Sequence, residues 1–288
     1  MLILLSACDT QPQESSSVPT EIIISGTEST DTAEASVFPV EIQGVQIHEE
    51  ADRVVSLSPA ITEIIAEMGY TDRLCGISSY CDYPELSLQR VGSAENPELE
   101  IITGMSPDVL FTLTELSERD MYTLQDADIA VVRLAPPVSA EDYGRLYSDI
   151  ASAFVGTQAA AAKGEKYTAE MRAAAESVKL DSFVYVTGKL TAAGGSTFEN
   201  GVLSLCGTNI CTSEGYCELS ELGDASPSFI VACDSLSMSD INNNAVLSAF
   251  ADNGAKVVFV SAAGFERPST RTFDIYDQIS EQLAPDAE

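Results

Sequence analysis

The stretch Arg53-Val54-Val55-Ser56-Leu57-Ser58-Pro59-Ala60-Ile61-Thr62-Glu63 turns from strand to helix in a single step. Val54, Val55 and Leu57 favour a pleated, buried strand. Ser58-Pro59 then reads as a helix start, with Ser as N-cap and Pro at the first helical position. Ile61, Ile64, Ile65 and Met68 recur at helical spacing, and Gly69 ends the run. A strand feeding directly into a helix is the opening of a βαβ unit, and the rest of the chain is read outward from it.

Downstream, residues 73–78, 108–113 and 129–134 read as further strands with helical stretches between them. Residues 157–180 are rich in Ala, Glu, Lys and Met and lack Pro, which predicts one long helix of roughly 35 Å at 1.5 Å per residue. A second strand–helix series follows, with strands at 183–187, 229–233 and 256–260 and a last helix over about 269–283. The expected fold is α/β: two Rossmann-like lobes with mainly parallel sheets, joined by one long helix, with a ligand cleft between lobes. The lobes span 38–156 and 181–288, and the connecting helix spans 157–180. Ligands of open α/β sheets bind beyond the carboxyl ends of the strands, so two facing lobes place the cleft there.

Composition narrows the function. The chain has 288 residues, 45% of them hydrophobic, with 45 acidic against 14 basic residues and a formal net charge of −31. Such a surface repels nucleic acid and anionic membrane, so no nucleic-acid partner is expected. The single histidine is His48, and no C-x-x-C pair occurs, so neither zinc nor another metal is expected. The cysteines are Cys8, Cys75, Cys81, Cys206, Cys211, Cys217 and Cys233. Setting Cys8 aside leaves an even number, which in an exported protein reads as a disulfide framework of open connectivity. Cys75 with Cys81 and Cys211 with Cys217 are the local pairings to test.

Upstream, Leu5-Ser6-Ala7-Cys8 fits the lipobox of bacterial lipoproteins. Residues 1–8 therefore read as a truncated signal ending in a lipid-attachment cysteine. Residues 9–37 are mostly Ser, Thr, Glu, Asp, Gln and Pro, a disordered tether with a root-mean-square span of roughly 30 Å. The expected location is extracytoplasmic, anchored to the cell membrane by lipid.

The body resembles the ABC-importer binding proteins that carry cobalamin, haem and ferric siderophores, most nearly their cobalamin-binding branch. The residues that carry the resemblance are the opening strand and helix at 53–63, Ser78-Ser79-Tyr80-Cys81-Asp82-Tyr83-Pro84, Leu99-Glu100-Ile101-Ile102 with Ser106-Pro107-Asp108-Val109-Leu110, the segment 200–207, and Phe265-Glu266-Arg267-Pro268-Ser269. They keep their order over nearly the whole body. The resemblance implies that Tyr80 and the loop around Phe265 face a ligand. With no Trp in the chain, and Ala94 and Ala263 where the family presents Trp and Asp, the aromatic walls of a corrinoid site fall to Tyr80, Tyr83, Phe198, Tyr216 and Phe265. Arg267 completes the ligand-binding set. For an anionic siderophore the candidate arginines are Arg90, Arg119, Arg133, Arg267 and Arg271.

The resemblance also implies a monomer that delivers its small-molecule ligand to an ABC permease working with its ATPase. Glu100 falls on the family's docking glutamate in the first lobe. In the second lobe ungapped alignment gives Ser220 and a one-residue gap gives Glu221, the residue preferred. No cofactor is expected beyond the ligand, a corrinoid first and an iron-siderophore or haem second. An enzyme is the opposing class. No G-x-S-x-G elbow occurs, Gly188-Lys189 lacks the glycine spacing of a P-loop, and His48 alone gives Ser–His or Cys–His chemistry little to draw on. A surface sensor or adhesin that kept the fold without transport is the alternative of another class.

Overall fold

The computed structural model describes residues 37–83 and 87–284. The lipid-attachment site expected at Cys8 and all but the last residue of the tether expected over 9–37 lie outside the described residues.

A hairpin of Val40–Ile42 (β1) and Val45–Ile47 (β2), not anticipated from sequence, precedes the opening strand. That strand is Val54–Ser56 (β3), followed by Pro59–Glu67 (α1). The first lobe continues through Leu74–Ile77 (β4), Gln89–Arg90 (β5), Leu99–Met105 (α2), Val109–Thr112 (β6), Glu118–Asp126 (α3) and Ala130–Arg133 (β7). Its sheet runs β5-β4-β3-β6-β7, every pair parallel. The order reverses between β3 and β6, which makes a switch point at the carboxyl end of β3. Ser58 stands before α1 as expected, but its hydroxyl makes no capping hydrogen bond. The turn is held by Ser56 instead, whose hydroxyl donates to the Ser58 carbonyl at 2.8 Å and accepts from Thr62 at 2.9 Å.

The connector, expected as one helix over 157–180, starts earlier and is folded. Helical backbone runs over Ala140–Ala175 (α4), broken at Gly156 with φ 75° and ψ 162°. That backbone lies where a residue with a Cβ is strained, so glycine permits the break. The two arms then lie antiparallel. The rings of Tyr147 and Tyr167 stack with centroids 3.8 Å apart, and Arg172 pairs with Glu141. Close contact of the arms depends on Gly144 and Gly164: a Cβ on either would come within 2.6 Å of the other's carbonyl oxygen.

The second lobe comprises Asp181–Val186 (β8), Thr191–Ala192 (β9), Phe198–Leu203 (α5), Gly207–Asn209 (β10), Cys217–Glu218 (β11), Phe229–Cys233 (β12), Met238–Asn243 (α6), Ala245–Asp252 (α7), Lys256–Val260 (β13), Ala263–Glu266 (α8) and Asp274–Leu283 (α9). Its sheet runs β11-β9-β8-β12-β13, with β10 also on β8. The pairs among β8, β10, β12 and β13 are parallel, while β9 pairs antiparallel with β8 and β11.

Alternation along the strands assigns side chains to layers. Val54 and Phe111 enter an inner core that runs from α1 through Tyr143 and Tyr147 to Phe183, Val231 and Ile275 of the second lobe. Val55 and Leu110 face an outer layer of the first lobe, and Val184 and Ile230 an outer layer of the second. The lobes therefore share one continuous apolar core. Each fully buried Ile, Leu or Phe in it contributes about 1.5–3 kcal/mol. Among the described residues no helix is long and apolar enough to cross a membrane.

The pairing of Cys75 with Cys81 is not formed. Cys75 packs against the outer layer and Cys81 belongs to the inner core, so the two thiols point to different sides of the first-lobe sheet. The six described cysteines are all thiols.

Candidate functional site

A cleft of about 880 Å³ opens beyond the carboxyl ends of β8, β12 and β13. Its floor is formed where those strands end, at Thr187, Cys233 and Ala262. This is where the strand order of the second sheet diverges to either side of β8, the position at which α/β sheets hold ligands. One wall is the start of α5, where Thr197 caps the helix through its hydroxyl and presents Phe198 and Glu199 to the cleft. Pro136 to Val138, the approach to α4, supply the first-lobe side.

Four aromatic rings, Tyr185, Phe198, Tyr216 and Phe265, are among the lining residues. Phe265 is buried and meets Tyr185 edge-on with centroids 4.9 Å apart. Phe198 lies nearly parallel to Tyr143 at 6.4 Å. Tyr216 is 57% exposed, and its hydroxyl donates to Glu199 at 2.8 Å, which sets the ring over the opening. Burial raises the Tyr185 phenol, so it stays protonated and uncharged. Lys189, Glu199 and Glu266 are the charged groups among the lining residues.

Three of the six residues expected to bind ligand, Phe198, Tyr216 and Phe265, thus line one cleft. The other three sit elsewhere. Tyr80 is 69% exposed on the loop after β4, which Arg90 holds by donating to the Ser78 carbonyl at 3.0 Å and to that of Cys81. Tyr83 is half-buried against the inner core. Arg267 is engaged between the lobes.

That engagement is part of a polar cluster joining the two lobes. Glu63, on α1, is only 1% exposed at its side chain. Its Oε1 accepts from Arg267 at 3.2 Å and pairs with Arg271 at 3.1 Å, and its Oε2 accepts from the Ser269 hydroxyl at 2.7 Å. One turn on, Glu67 Oε1 accepts from the Thr270 amide and hydroxyl, at 3.1 and 2.6 Å, and Oε2 from Tyr147 at 2.5 Å. Burial nevertheless pushes the Glu67 carboxyl above its usual range. From the loop after β4, Asp82 pairs with Arg267 as well, and lies 3.7 Å from Arg271. The Arg267 hydrogen bond holds Asp82 below the usual carboxylate range.

Sequence reading missed Glu63 and Glu67. The available signal was a pair of acids one turn apart on a helix whose other residues are Pro, Thr, Ala and Ile, a pattern that requires buried partners. Ala94, where the family presents Trp, is buried in the outer layer of the first lobe. Ala263 is exposed at the start of α8. Glu100 is exposed at the second position of α2. Glu221 is exposed too, but its Oε1 accepts from the Glu218 amide at 3.0 Å and so caps a short 3-10 turn. His48 lies at a second cavity of about 700 Å³ beside the amino ends of β3, β6 and β7, the opposite end from the cleft. Asp108 there accepts from the amides of Asp52 and Arg53, each at 2.8 Å. Among the described residues no cluster of three or more His, Cys, Asp or Glu is arranged to hold a metal.

Comparison with known proteins agrees with this fold. The vitamin B12-binding protein of Yersinia pestis (strain Pestoides F) is 39% identical over 64 residues, which is 22% of this chain and 23% of that protein. The matched segment therefore spans about a quarter of the curated relative's length. Among solved structures, the periplasmic vitamin B12 binding protein BtuF of Vibrio cholerae superposes with a TM-score of 0.60 at 20% identity, covering 81% of this chain and 97% of that one. The periplasmic haem binding protein HutB of Vibrio cholerae gives 0.65 at 18%, covering 81% and 99%. A possible iron-binding solute-binding protein from Staphylococcus epidermidis gives 0.65 at 19%, covering 82% and 100%. These likenesses are of fold. The family described as periplasmic binding protein matches residues 54–236, and with more than half of its length so matched the chain belongs to that family.

Proposed function

We propose that this chain is the extracytoplasmic substrate-binding component of an ABC importer, lipid-anchored at Cys8, and that it captures a corrinoid and delivers it to a permease driven by its ATPase. The observation that carries the reading is the cleft of about 880 Å³ with Phe198, Tyr216 and Phe265 on its walls. A large, mostly apolar macrocycle with amide edges needs such rings for its faces and a few polar groups for its rim. Lys189, Glu199 and the strand-end Thr187 supply that rim. Calorimetric titration of the purified protein with cyanocobalamin, cobinamide, haemin and several ferric siderophores tests the choice. One-to-one corrinoid binding is expected. Tight ferric-siderophore binding with no response to any corrinoid overturns it.

One observation favours a second reading, an anionic metal chelate such as haem or a siderophore. Of the five arginines named from sequence, Arg267 and Arg271 converge, and the carboxylate lying on them from outside belongs to Asp82, 58% exposed. An exposed ion pair contributes only about 0–1 kcal/mol, so a ligand carboxylate can displace it. On this reading Asp82→Ala strengthens haemin binding several-fold and leaves cyanocobalamin unaffected.

A further inference from the structure

The sequence marks Cys211 and Cys217 as a local pair, and in the structure they are the one thiol–thiol contact among the described residues, with sulfurs 3.2 Å apart. Both are buried, while Thr212 and Glu214 to Tyr216 between them are exposed. The base of this loop is pinned. Cys217 sits opposite Ala192 in the β9–β11 pair, and the Cys211 amide donates to the Asn209 side chain at 3.0 Å. The tip of the loop supports the cleft. The carbonyls of Ser213 and Glu214 accept from the amides of Gly195 and Ser196 at 2.7 and 2.5 Å. Tyr216 reaches Glu199. Ser196 and Glu199, so held, line the cleft wall together with Phe198 between them.

We propose that Cys211 and Cys217 are a redox-responsive site: an oxidising disulfide joins them, and the bond staples the loop that fixes the Gly195–Glu199 wall of the cleft. The oxidant is a small-molecule or protein disulfide. One cysteine thiolate attacks it, forming a mixed disulfide and releasing one thiol. The second thiolate attacks the cysteine sulfur of that mixed disulfide, closing the Cys211–Cys217 bond and releasing a second thiol. The two protons lost by the cysteines leave on the two released thiols, and the oxidant takes up both electrons. Burial raises the Cys217 thiol above its ordinary value, so little thiolate is present at neutral pH and exchange is slow without an oxidoreductase. The loop links the bond to the wall through two backbone hydrogen bonds and one side-chain bond. Reduction therefore loosens the wall without unfolding the lobe, because β8 and β12 pair independently of this loop.

The inference does not depend on which ligand the cleft takes, and its test uses none. The full-length protein is equilibrated in glutathione buffers from fully reduced to strongly oxidised, quenched in acid and alkylated under denaturing conditions. Peptide mapping is expected to show Cys211 and Cys217 losing their alkylation together, in a peptide lighter by two hydrogen atoms. Hydrogen exchange at the amides of Gly195 and Ser196 is expected to slow by about tenfold on oxidation. The Cys211→Ser/Cys217→Ser double variant is expected to exchange at the fast rate in both buffers. Cys211 and Cys217 remaining alkylatable in the most oxidised buffer overturns the redox site. A bond that forms while Gly195 and Ser196 exchange unchanged overturns the staple.

Discussion

Glu63 of the first lobe and Arg267 of the second are joined at 3.2 Å, with the glutamate carboxylate almost wholly shielded from water. A buried carboxylate is tolerated only when its oxygens are fully engaged, and here both are, by Arg267, Arg271 and Ser269. All three partners come from the segment between β13 and α9, so this one side chain couples the position of that segment to α1. Together with the shared inner core it makes the lobes a single unit.

Neutralising that carboxylate leaves two arginines without their buried partner. Glu63→Gln is expected to lose roughly 3–5 kcal/mol of unfolding free energy, as when one member of a buried ion pair is removed. Urea unfolding followed by circular dichroism measures it. A loss under about 1 kcal/mol, the range of an exposed pair, contradicts the role assigned to Glu63.

Acid acts on the exposed side of the same cluster. The Asp82 carboxyl is held below its ordinary value of 3.8 by Arg267. A depressed carboxylate stabilises the fold above its unfolded value, and the contribution is lost as pH falls through the folded value. The stability difference between wild type and Asp82→Asn should therefore be present at pH 6, at most about 1 kcal/mol for so exposed a pair, and shrink progressively as pH falls below 3.8. Glu67 works in the opposite sense. Its carboxyl is raised by burial above 4.5, so its contribution falls as pH rises through that region. Thermal melts of Asp82→Asn and Glu67→Gln across pH 3 to 7 separate the two, and a constant Asp82→Asn difference down to the acid end contradicts the assignment.

The folded connector makes its own prediction. A Cβ on Gly144 would stand 1.9 Å from the Thr168 hydroxyl and 2.6 Å from the Gly164 carbonyl, so the arms of α4 must part to admit one. Gly144→Ala is expected to cost about 1–3 kcal/mol, although alanine favours an isolated helix. A stabilised variant in thermal unfolding contradicts the close approach.

Docking is tested by charge reversal. Glu100 and Glu221 are proposed to meet basic residues of the permease, one on each lobe. Glu100→Arg should weaken transport and permease association while leaving ligand affinity unchanged, and added salt should shrink the wild-type advantage. Glu221→Arg also removes a cap on the Glu218 amide, so its melting temperature is measured beside its uptake. Normal uptake by the double reversal removes the proposal.

The fold was legible because its signals are local. Residues 229–233 and 256–260 read as strands from their apolar runs and are strands over those same residues, β12 and β13. α1 followed from the spacing of Ile61, Ile64, Ile65 and Met68. What escaped reading depends on partners distant in sequence. β9 and β11 are two-residue strands whose pairing appears only when 191–192 and 217–218 meet. The reversal at Gly156 escaped reading because Ala-rich sequence after it favours continuous helix, whereas the reversal is set by contacts between Gly144 and Gly164. At the site, Phe198, Tyr216 and Phe265 were reachable from sequence and resemblance, whereas Tyr185 reads as one more residue of a buried strand. Arg267 was read as a ligand-binding residue, but the structure engages it with Glu63, 204 positions away.

The central claim is that the second-lobe cleft holds a corrinoid against Tyr216, and calorimetric titration of cyanocobalamin into wild type and Tyr216→Ala tests it most directly. Tyr216 is exposed, so its removal leaves the fold intact. One-to-one binding by the wild type is expected, weakened by about tenfold or more in Tyr216→Ala with the melting temperature of the free protein little changed. Equal affinity in the two proteins, or no binding by the wild type, contradicts it.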